Sequence, residues 1–223
     1  MKVGIQGVKG SYHHLVAQNY FESIELVECM TFDELTRSLV NEKCNIAVMA
    51  IENSIAGSIL PNYALIDENN LFITGECNFN INHNLLSLPN QDINDIKEVH
   101  SHPMALLQCS KFFIKHPSIK LIETNDTALF AKKISDNKLE GLGAIASIES
   151  AKMYDLEVLS ESIQTIKNNM KKDLQKKLAR YTAAAAGVVS ATAVSAQGQT
   201  WYTDVSPDYV NSGAGQYSLD MDN

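Results

Sequence analysis

The sequence predicts an α/β protein built from two lobes. Strand and helix signals alternate over roughly the first 165 residues, as expected of repeated βα units. The apolar run at residues 46–51 has the length of one strand buried on both faces. A hydrophobic share of 45% with 20% charged residues indicates a packed globular chain. Two βα-rich series joined near residue 78 explain this pattern better than one large sheet.

The first series reads β-α-β-α-β. Its opening strand breaks at the turn 7–10, and Ser11 is a candidate N-cap for the helix that follows. Thr31, with Glu34 three residues later, forms a capping-box pattern for the second helix. The run 46–51 comes next, and we expect it to be the central strand of a parallel sheet.

The second series has the same character. Pro103 suits the first turn of a helix that we expect to continue through Phe113. Asn125 and Ser147 are the predicted N-caps of two further helices. The strand signals of this half lie at 72–74, 79–81, near Val99, and at 121–122, 144–146 and 158–159.

Charge and cysteine content exclude several classes of protein. The 223-residue chain has a net charge of −8, which argues against nucleic acid and anionic membrane as partners. The four cysteines show no metal-ligand spacing, so we expect buried, reduced thiols. Residues 1–30 show no leader pattern and no run of eighteen apolar residues occurs, so we expect a cytoplasmic protein outside the membrane.

Four polar turns lie where ligands bind in α/β sheets, beyond strand ends and next to helix N-termini. They are residues 7–11, 52–58, 101–103 and 125–127. Together they predict an inter-lobe cleft that grips a small anionic molecule with backbone N–H groups and hydroxyls.

Two of these turns contain residues that have both a catalytic and a purely structural interpretation. Glu52 and Asn53 could orient and polarise a substrate hydroxyl, or could simply belong to a helix start. Ser101 and His102 are adjacent but show no third triad member, and capping is the simpler interpretation of His102.

Nucleotide and metal sites are poorly supported. Glycines 4, 7 and 10 miss the G-x-G-x-x-G spacing of a dinucleotide loop. His13 and His14 are adjacent on a helix and point to different faces, so a shared metal is not expected. Asp220 and Asp222 lack the glycine and glutamate of a calcium loop.

Five ordered blocks resemble the prephenate dehydratase family over residues 1 to about 169. They are Gly7-Val8-Lys9-Gly10-Ser11-Tyr12, Ala50-Ile51-Glu52-Asn53-Ser54-Ile55-Ala56-Gly57-Ser58, Gly75-Glu76 with Ile81-Asn82-His83, Ser101 through Cys109, and Asn125-Asp126-Thr127-Ala128.

The resemblance implies a two-lobed, periplasmic-binding-protein-like fold of type II. It implies conversion of prephenate to phenylpyruvate in phenylalanine biosynthesis, without a cofactor, by a homo-oligomer that is a dimer or tetramer. The site residues carried over from the family are Glu52, Asn53, Ser101 and Gln108 for catalysis, and Ser11, Ser54 and Thr127 for substrate binding.

The chain departs from the family after Ile163 and Gln164. The family continues to a catalytic Thr-Arg-Phe motif, but the slots here hold Lys171, Lys172 and Asp173. We therefore expect impaired activity, and we expect the strand that completes the first lobe to be missing or replaced.

The tail differs in composition from the rest. Five basic and five acidic residues follow Met170, so the whole net charge belongs to residues 1–169. A basic stretch, an Ala- and Val-rich run and a small-x-small site give residues 170–196 the layout of a secretory signal peptide. This pattern predicts an unrelated chain joined at Met170, and the alternative is a divergent terminal helix docked on lobe one.

The predicted organisation is lobe one at 1–78, lobe two at 79–162, a return segment at 163–169, a signal-peptide-like segment at 170–196 and a disordered tail at 197–223. Two rival functions remain open: a non-catalytic small-molecule binding protein with the same cleft, and a non-functional fusion product.

Overall fold

The structure is a computed structural model that describes residues 1–53, 57–124, 126–164 and 188–195. The described chain forms two lobes, each built around its own sheet. The first contains β1 (Lys2–Gln6), α1 (Tyr12–Tyr20), β2 (Glu25–Cys29), α2 (Phe32–Val40), β3 (Ile46–Asn53), β4 (Gly57–Ser58), α3 (Leu60–Glu68), β5 (Phe72–Asn80) and, from the far end of the chain, β11 (Val188–Ser195).

The second lobe lies between these segments in sequence. It contains β6 (Asn84–Ser87), β7 (Glu98–Ser101), α4 (Pro103–Gln108), α5 (Ser110–Phe113), β8 (Lys120–Glu123), α6 (Thr127–Asn137), β9 (Leu142–Ala146), α7 (Ile148–Met153) and β10 (Glu157–Ser160). The two-lobed α/β fold that the sequence predicts is confirmed.

The first sheet has the order β2-β1-β3-β11-β5, with β4 paired to β3. Strand β3 is buried on both faces, as predicted. Met49 and Ile51 pack with Leu35 under α2, whereas Val48 packs with Val16 of α1 on the other face. The sheet is mixed rather than parallel, because β11 runs antiparallel to β3.

The second sheet has the order β10-β6-β9-β7-β8 and is covered on both faces in the same way. Leu85 and Ile145 face the cluster below α4, while Leu86 and Ala144 face α6 and α7. Neighbouring residues of one strand thus pack into the hydrophobic clusters on opposite faces of the sheet, because successive side chains of a β-strand point to opposite faces.

Residues 188–195, from the segment that follows Met170, form β11 in the lobe-one sheet, in agreement with the expectation that the completing strand is missing or replaced. Its eight residues lie between β3 and β5 and hydrogen-bond to both. The segment predicted to be signal-peptide-like therefore contributes a central strand, and a docked helix is not what residues 188–195 form. Residues 165–187 and 196–223 lie outside the described part of the chain, and they include most of the predicted return segment 163–169 as well as Lys171, Lys172 and Asp173.

Several boundaries also differ from the predicted ones. The two strand pieces at 72–74 and 79–81 are one strand, β5, of lobe one, so the crossover lies at residues 81–83 rather than near 78. The helix expected from Pro103 to Phe113 is two helices that meet at Cys109. Helix α3 and strand β6 were not predicted.

The helix caps follow the sequence closely, with one correction. Ser11, Thr31 and Ser147 each accept a hydrogen bond from the backbone N–H three residues on, as predicted. The cap of α6 is Asp126, whose side chain accepts from the backbone of Leu129, and not the neighbouring Asn125, which is not described.

Cysteine chemistry agrees with the sequence analysis. The four cysteines, Cys29, Cys44, Cys77 and Cys109, are buried free thiols. Among the helices of the described chain, none combines the length and apolar character needed to cross a membrane.

Candidate functional site between the lobes

A cavity of about 450 Å³ lies between the two lobes. All four polar turns singled out in the sequence contribute to its wall, so the predicted inter-lobe cleft is confirmed. The wall residues used below are, from lobe one, Gln6, Ser11, Tyr12, His13, Ala50, Asn53 and Ser58, from the crossover, His83, and from lobe two, His102, Gln108, Asp126 and Thr127.

Four of the seven predicted site residues lie in this wall. Ser11 caps α1 and accepts a hydrogen bond from the backbone N–H of His14 at 3.3 Å. Asn53 ends the buried strand β3, and Gln108 ends α4. Thr127 is the first residue of α6. Their roles in binding or catalysis stay predictions.

Two predicted residues lie elsewhere. Ser101 is fully buried, and its hydroxyl donates to the carbonyl oxygen of Ile145 at 3.1 Å, so its observed contact is within lobe two. Glu52 accepts a hydrogen bond from the hydroxyl of Ser58 at 3.2 Å. It is not a wall residue, because it alternates with Asn53 along β3. Ser54 is outside the described residues.

Several titratable residues of the wall have no role predicted from the sequence. Tyr12, His83 and Asp126 lie inside the family-like blocks, and His13 follows the first block, but none carried a predicted role. His83 had one usable signal, its place after a strand at the crossover between lobes. The burial of Asp126 depends on packing between lobes, which sequence spacing does not report.

The histidines of the wall are held neutral by burial. Desolvation lowers the pKa of His13 and of His83 to about 4, and it also lowers the pKa of His102. His13 Nε2 accepts a hydrogen bond from the backbone N–H of Ala50 at 3.3 Å. His102 caps α4 by accepting from the backbone N–H of Met104, as predicted.

Asp126 brings a carboxyl group into this neutral wall. Its Oδ1 accepts from the backbone N–H of Leu129 at 2.7 Å. Burial raises the pKa of Asp126, partly offset by backbone hydrogen bonds from Leu129 and Ala128. Within the described wall, no lysine or arginine accompanies it.

The lobes also touch directly beside the cavity, through the turn that precedes Ser11. The hydroxyls of Ser147 and Ser150 donate to the carbonyl oxygen of Gly10 at 3.2 and 2.8 Å. The hydroxyl of Tyr154 donates to the carbonyl oxygen of Lys9. Lobe two therefore fixes the position of a turn that leads into the lobe-one wall.

The described residues contain no cluster of three or more His, Cys, Asp or Glu side chains that could hold a metal ion. His13 and His14 face apart, since His13 meets β3 while His14 Nδ1 accepts from the backbone N–H of Gly10 at 2.9 Å. The wall offers hydroxyl, carboxamide, imidazole and carboxyl groups.

Fold and cavity together define a two-lobed α/β protein with a cavity between its lobes. The sequence profile of the family described as prephenate dehydratase matches residues 3–172. The chain belongs to the prephenate dehydratase family.

Individual relatives agree with this assignment. A bifunctional chorismate mutase/prephenate dehydratase of Buchnera aphidicola subsp. Acyrthosiphon pisum is 39% identical over 168 residues, which are 74% of this chain and 44% of the relative. Arogenate dehydratase 2 of Petunia hybrida is 37% identical over 170 residues, or 76% of this chain and 43% of the relative. The chain thus spans less than half the length of these relatives.

Among solved structures, the prephenate dehydratase of Staphylococcus aureus subsp. aureus Mu50 superposes with a TM-score of 0.67 at 21% identity. The match covers 91% of this chain and 68% of that one. At this identity the likeness concerns the fold alone.

Proposed function

We propose that this chain binds prephenate in the inter-lobe cavity and converts it to phenylpyruvate, water and carbon dioxide in phenylalanine biosynthesis. The observation that carries the proposal is the cavity wall itself, where Ser11, Asn53, Gln108 and Thr127 converge from both lobes of a family member. These groups can donate hydrogen bonds to carboxylates and to the ring hydroxyl.

The reaction needs little chemistry from the protein. The ring hydroxyl leaves as water after taking up a proton, and the bond from the ring to its carboxylate carbon breaks to release carbon dioxide. The electron pair of that bond completes the aromatic ring. The protein must supply the proton and hold both carboxylates, and Asn53 and Gln108 are our candidates for orienting the substrate.

We further propose that turnover is slow, because the Thr-Arg-Phe slots hold Lys171, Lys172 and Asp173. Loss of one transition-state donor or general acid typically costs about 10²- to 10⁴-fold in rate. The test is to follow phenylpyruvate formation from prephenate in the unchanged chain and in the triple variant K171T/K172R/D173F. A rise of about 10²-fold or more supports the proposal.

Controls separate the possible failures of this test. Gln108→Ala in the triple variant should abolish the gain if the activity arises in this cavity. Ordinary turnover by the unchanged chain would overturn the proposed impairment. No turnover and no prephenate binding in either form would favour the non-functional fusion product, and binding without turnover in both forms would favour the non-catalytic binding protein.

A second candidate substrate is arogenate, which appears in the names of relatives from Petunia hybrida and Arabidopsis thaliana. Arogenate carries an ammonium group where prephenate has a keto oxygen. The buried carboxyl of Asp126, in a described wall without lysine or arginine, favours a ligand with a positive group. Asp126→Asn keeps a capping side chain and should lower kcat/KM for arogenate more than for prephenate. An equal effect on both would remove this candidate.

We also propose a cytoplasmic location, supported by the four buried free thiols, which suit a reducing compartment. We propose a homo-oligomer, a dimer or tetramer, on the basis of the family. The exposed apolar side chains of Phe72 and Ile73 form a surface that such an assembly would cover. Cell fractionation and light scattering on the purified chain test these two statements.

Finally, we propose that residues 1–169 derive from a dehydratase and that an unrelated chain begins at Met170. The family match ends at residue 172, close to this position. Reading the DNA across the junction, together with the intact mass of the protein, tests this. One continuous frame in several independent isolates would contradict it.

A further inference from the structure

His83 holds together three parts of the molecule at the floor of the cavity. It lies in the crossover segment 81–83, and its backbone pairs with the returning segment. The backbone N–H of His83 donates to Gln164 Oε1 at 2.8 Å, and its carbonyl oxygen accepts from the backbone N–H of Ile163 at 2.8 Å. The side chain is 3% exposed, so the position of its ring is fixed on all sides.

The ring of His83 contacts one wall residue from each lobe. Its Nε2 lies 2.7 Å from Oε1 of Gln108 in lobe two. Its Nδ1 lies 3.2 Å from the hydroxyl of Tyr12 in lobe one, and that hydroxyl donates to the carbonyl oxygen of Asn82 at 2.7 Å. The imidazole therefore connects the predicted site residue Gln108 to the opposite lobe.

These contacts decide which ring nitrogen carries the proton. The carboxamide oxygen of Gln108 can only accept a hydrogen bond, so the nitrogen 2.7 Å away must donate. In that tautomer Nδ1 is an acceptor, so the Tyr12 hydroxyl 3.2 Å away shares its single proton between Nδ1 and the carbonyl oxygen of Asn82. Burial lowers the pKa of His83 to about 4, so the ring is neutral at ordinary assay pH.

We propose that His83 is a positioning residue for the dehydratase reaction: its Nε2–H holds the carboxamide oxygen of Gln108, so that Gln108 offers its amino group to the substrate. The two ends of a carboxamide have opposite hydrogen-bonding character. A carboxylate or departing hydroxyl oxygen needs a donor, and only a carboxamide turned in this way supplies one. The role in turnover rests on the proposed function.

The tautomer can be measured without any activity. Two-bond ¹⁵N–¹H correlation spectra of the histidine-labelled chain, with His83→Gln used for assignment, should show a neutral Nε2–H ring near pH 7. In Gln108→Ala the ring should lose this fixed tautomer, because the acceptor is gone. A Nδ1–H ring in the unchanged chain would overturn the inference, since Gln108 would then be turned the other way.

Three substitutions test the consequence for the reaction. The longer glutamine side chain of His83→Gln can place a donor N–H near the position of Nε2, whereas His83→Asn is too short to reach Gln108. We expect kcat/KM for prephenate to fall about tenfold or more in H83N and to recover to within about threefold of the unchanged chain in H83Q. In a Q108A background, H83N should change the rate by less than about twofold, because the two residues act as a unit.

Failure of the inference and failure of the proposed function give different results. If the reaction itself is wrongly assigned, the unchanged chain shows no turnover while the Nε2–H tautomer and its dependence on Gln108 remain. If the positioning role is wrong, turnover is present, and H83N equals H83Q or adds its full effect to Q108A. Thermal unfolding of each variant shows whether a loss of activity is caused by misfolding. If His83 variants misfold, Tyr12→Phe provides a second test, because it keeps the contact between His83 and Gln108 and should retain the Nε2–H tautomer.

Discussion

The contact between the Gly10 turn and lobe two predicts an unusually costly glycine substitution. Gly10 has φ +86°, a conformation that costs an alanine about 1–2 kcal/mol. A Cβ there would also lie 2.8 Å from Ser150 Oγ and 3.4 Å from Ser150 Cα. To make room, lobe two must withdraw the hydroxyls of Ser147 and Ser150 from the Gly10 carbonyl, at about 0.5–1.5 kcal/mol each.

Gly57 provides a matched control. Its φ of +79° is nearly the same, but among the described residues no atom lies within 4 Å of an added Cβ. Gly57→Ala should therefore lower the free energy of unfolding by the backbone term alone, about 1–2 kcal/mol. Gly10→Ala should lower it by about 2–5 kcal/mol, because strain and lost hydrogen bonds add.

Urea and thermal unfolding of both variants measure the difference, with roughly 2–4 °C in Tm for each kcal/mol in a chain of this size. Adding Ser150→Ala to Gly10→Ala removes the nearest atom and should recover part of the loss. Equal destabilisation by G10A and G57A would refute the argument, because it would mean that the lobes do not dock through this turn.

Three further predictions concern pH and the tail. Burial lowers the pKa of His13 and of His83 from 6.5 to about 4. The free energy of unfolding should therefore be highest above about pH 6.5 and fall as the pH drops towards 4. Urea midpoints measured across this range should fall less steeply in each of the single variants H13Q and H83Q. Burial raises the pKa of Asp126, so the protonated carboxyl group contributes stability that is lost as the pH rises. Urea midpoints measured over the same pH range should show D126N to be more stable than the unchanged chain above about pH 4 but not near pH 3. A chain that ends at residue 187 lacks β11, which is the sheet partner of β5 among the described strands. Limited proteolysis should therefore cleave the truncated chain within residues 72–80 and leave these residues intact in the full chain.

Local patterns were sufficient to predict much of the fold. The caps at Ser11, Thr31 and Ser147 and the buried strand β3 depend on residues close in sequence, and the structure has each of them. The cleft followed from a general rule for ligand sites in α/β sheets, and the four polar turns converge as that rule requires.

Features that depend on tertiary contacts were not predictable in this way. Ser101 and Gln108 fall in one sequence block, yet Ser101 bonds within lobe two and Gln108 faces the cavity. Which of two nearby side chains reaches a cleft depends on the strand end and helix turn that carry them. The pKa of His83 is lowered and that of Asp126 is raised by burial, which depends on packing between residues that are distant in sequence.

The position of β11 in the lobe-one sheet indicates that this chain can fold whether or not it turns over substrate. A central antiparallel strand is held through backbone hydrogen bonds, which a segment with three valines among its eight residues can supply whatever its origin. The proposed reaction needs particular side chains, and in the register of the family resemblance Lys171, Lys172 and Asp173 stand in place of a threonine hydroxyl, an arginine guanidinium group and a phenylalanine ring. The tail can therefore complete the sheet of lobe one without completing the proposed active site, and we expect cooperative unfolding together with slow turnover. Cooperative unfolding with no measurable change on adding the Thr-Arg-Phe side chains would instead place the defect elsewhere in the cavity.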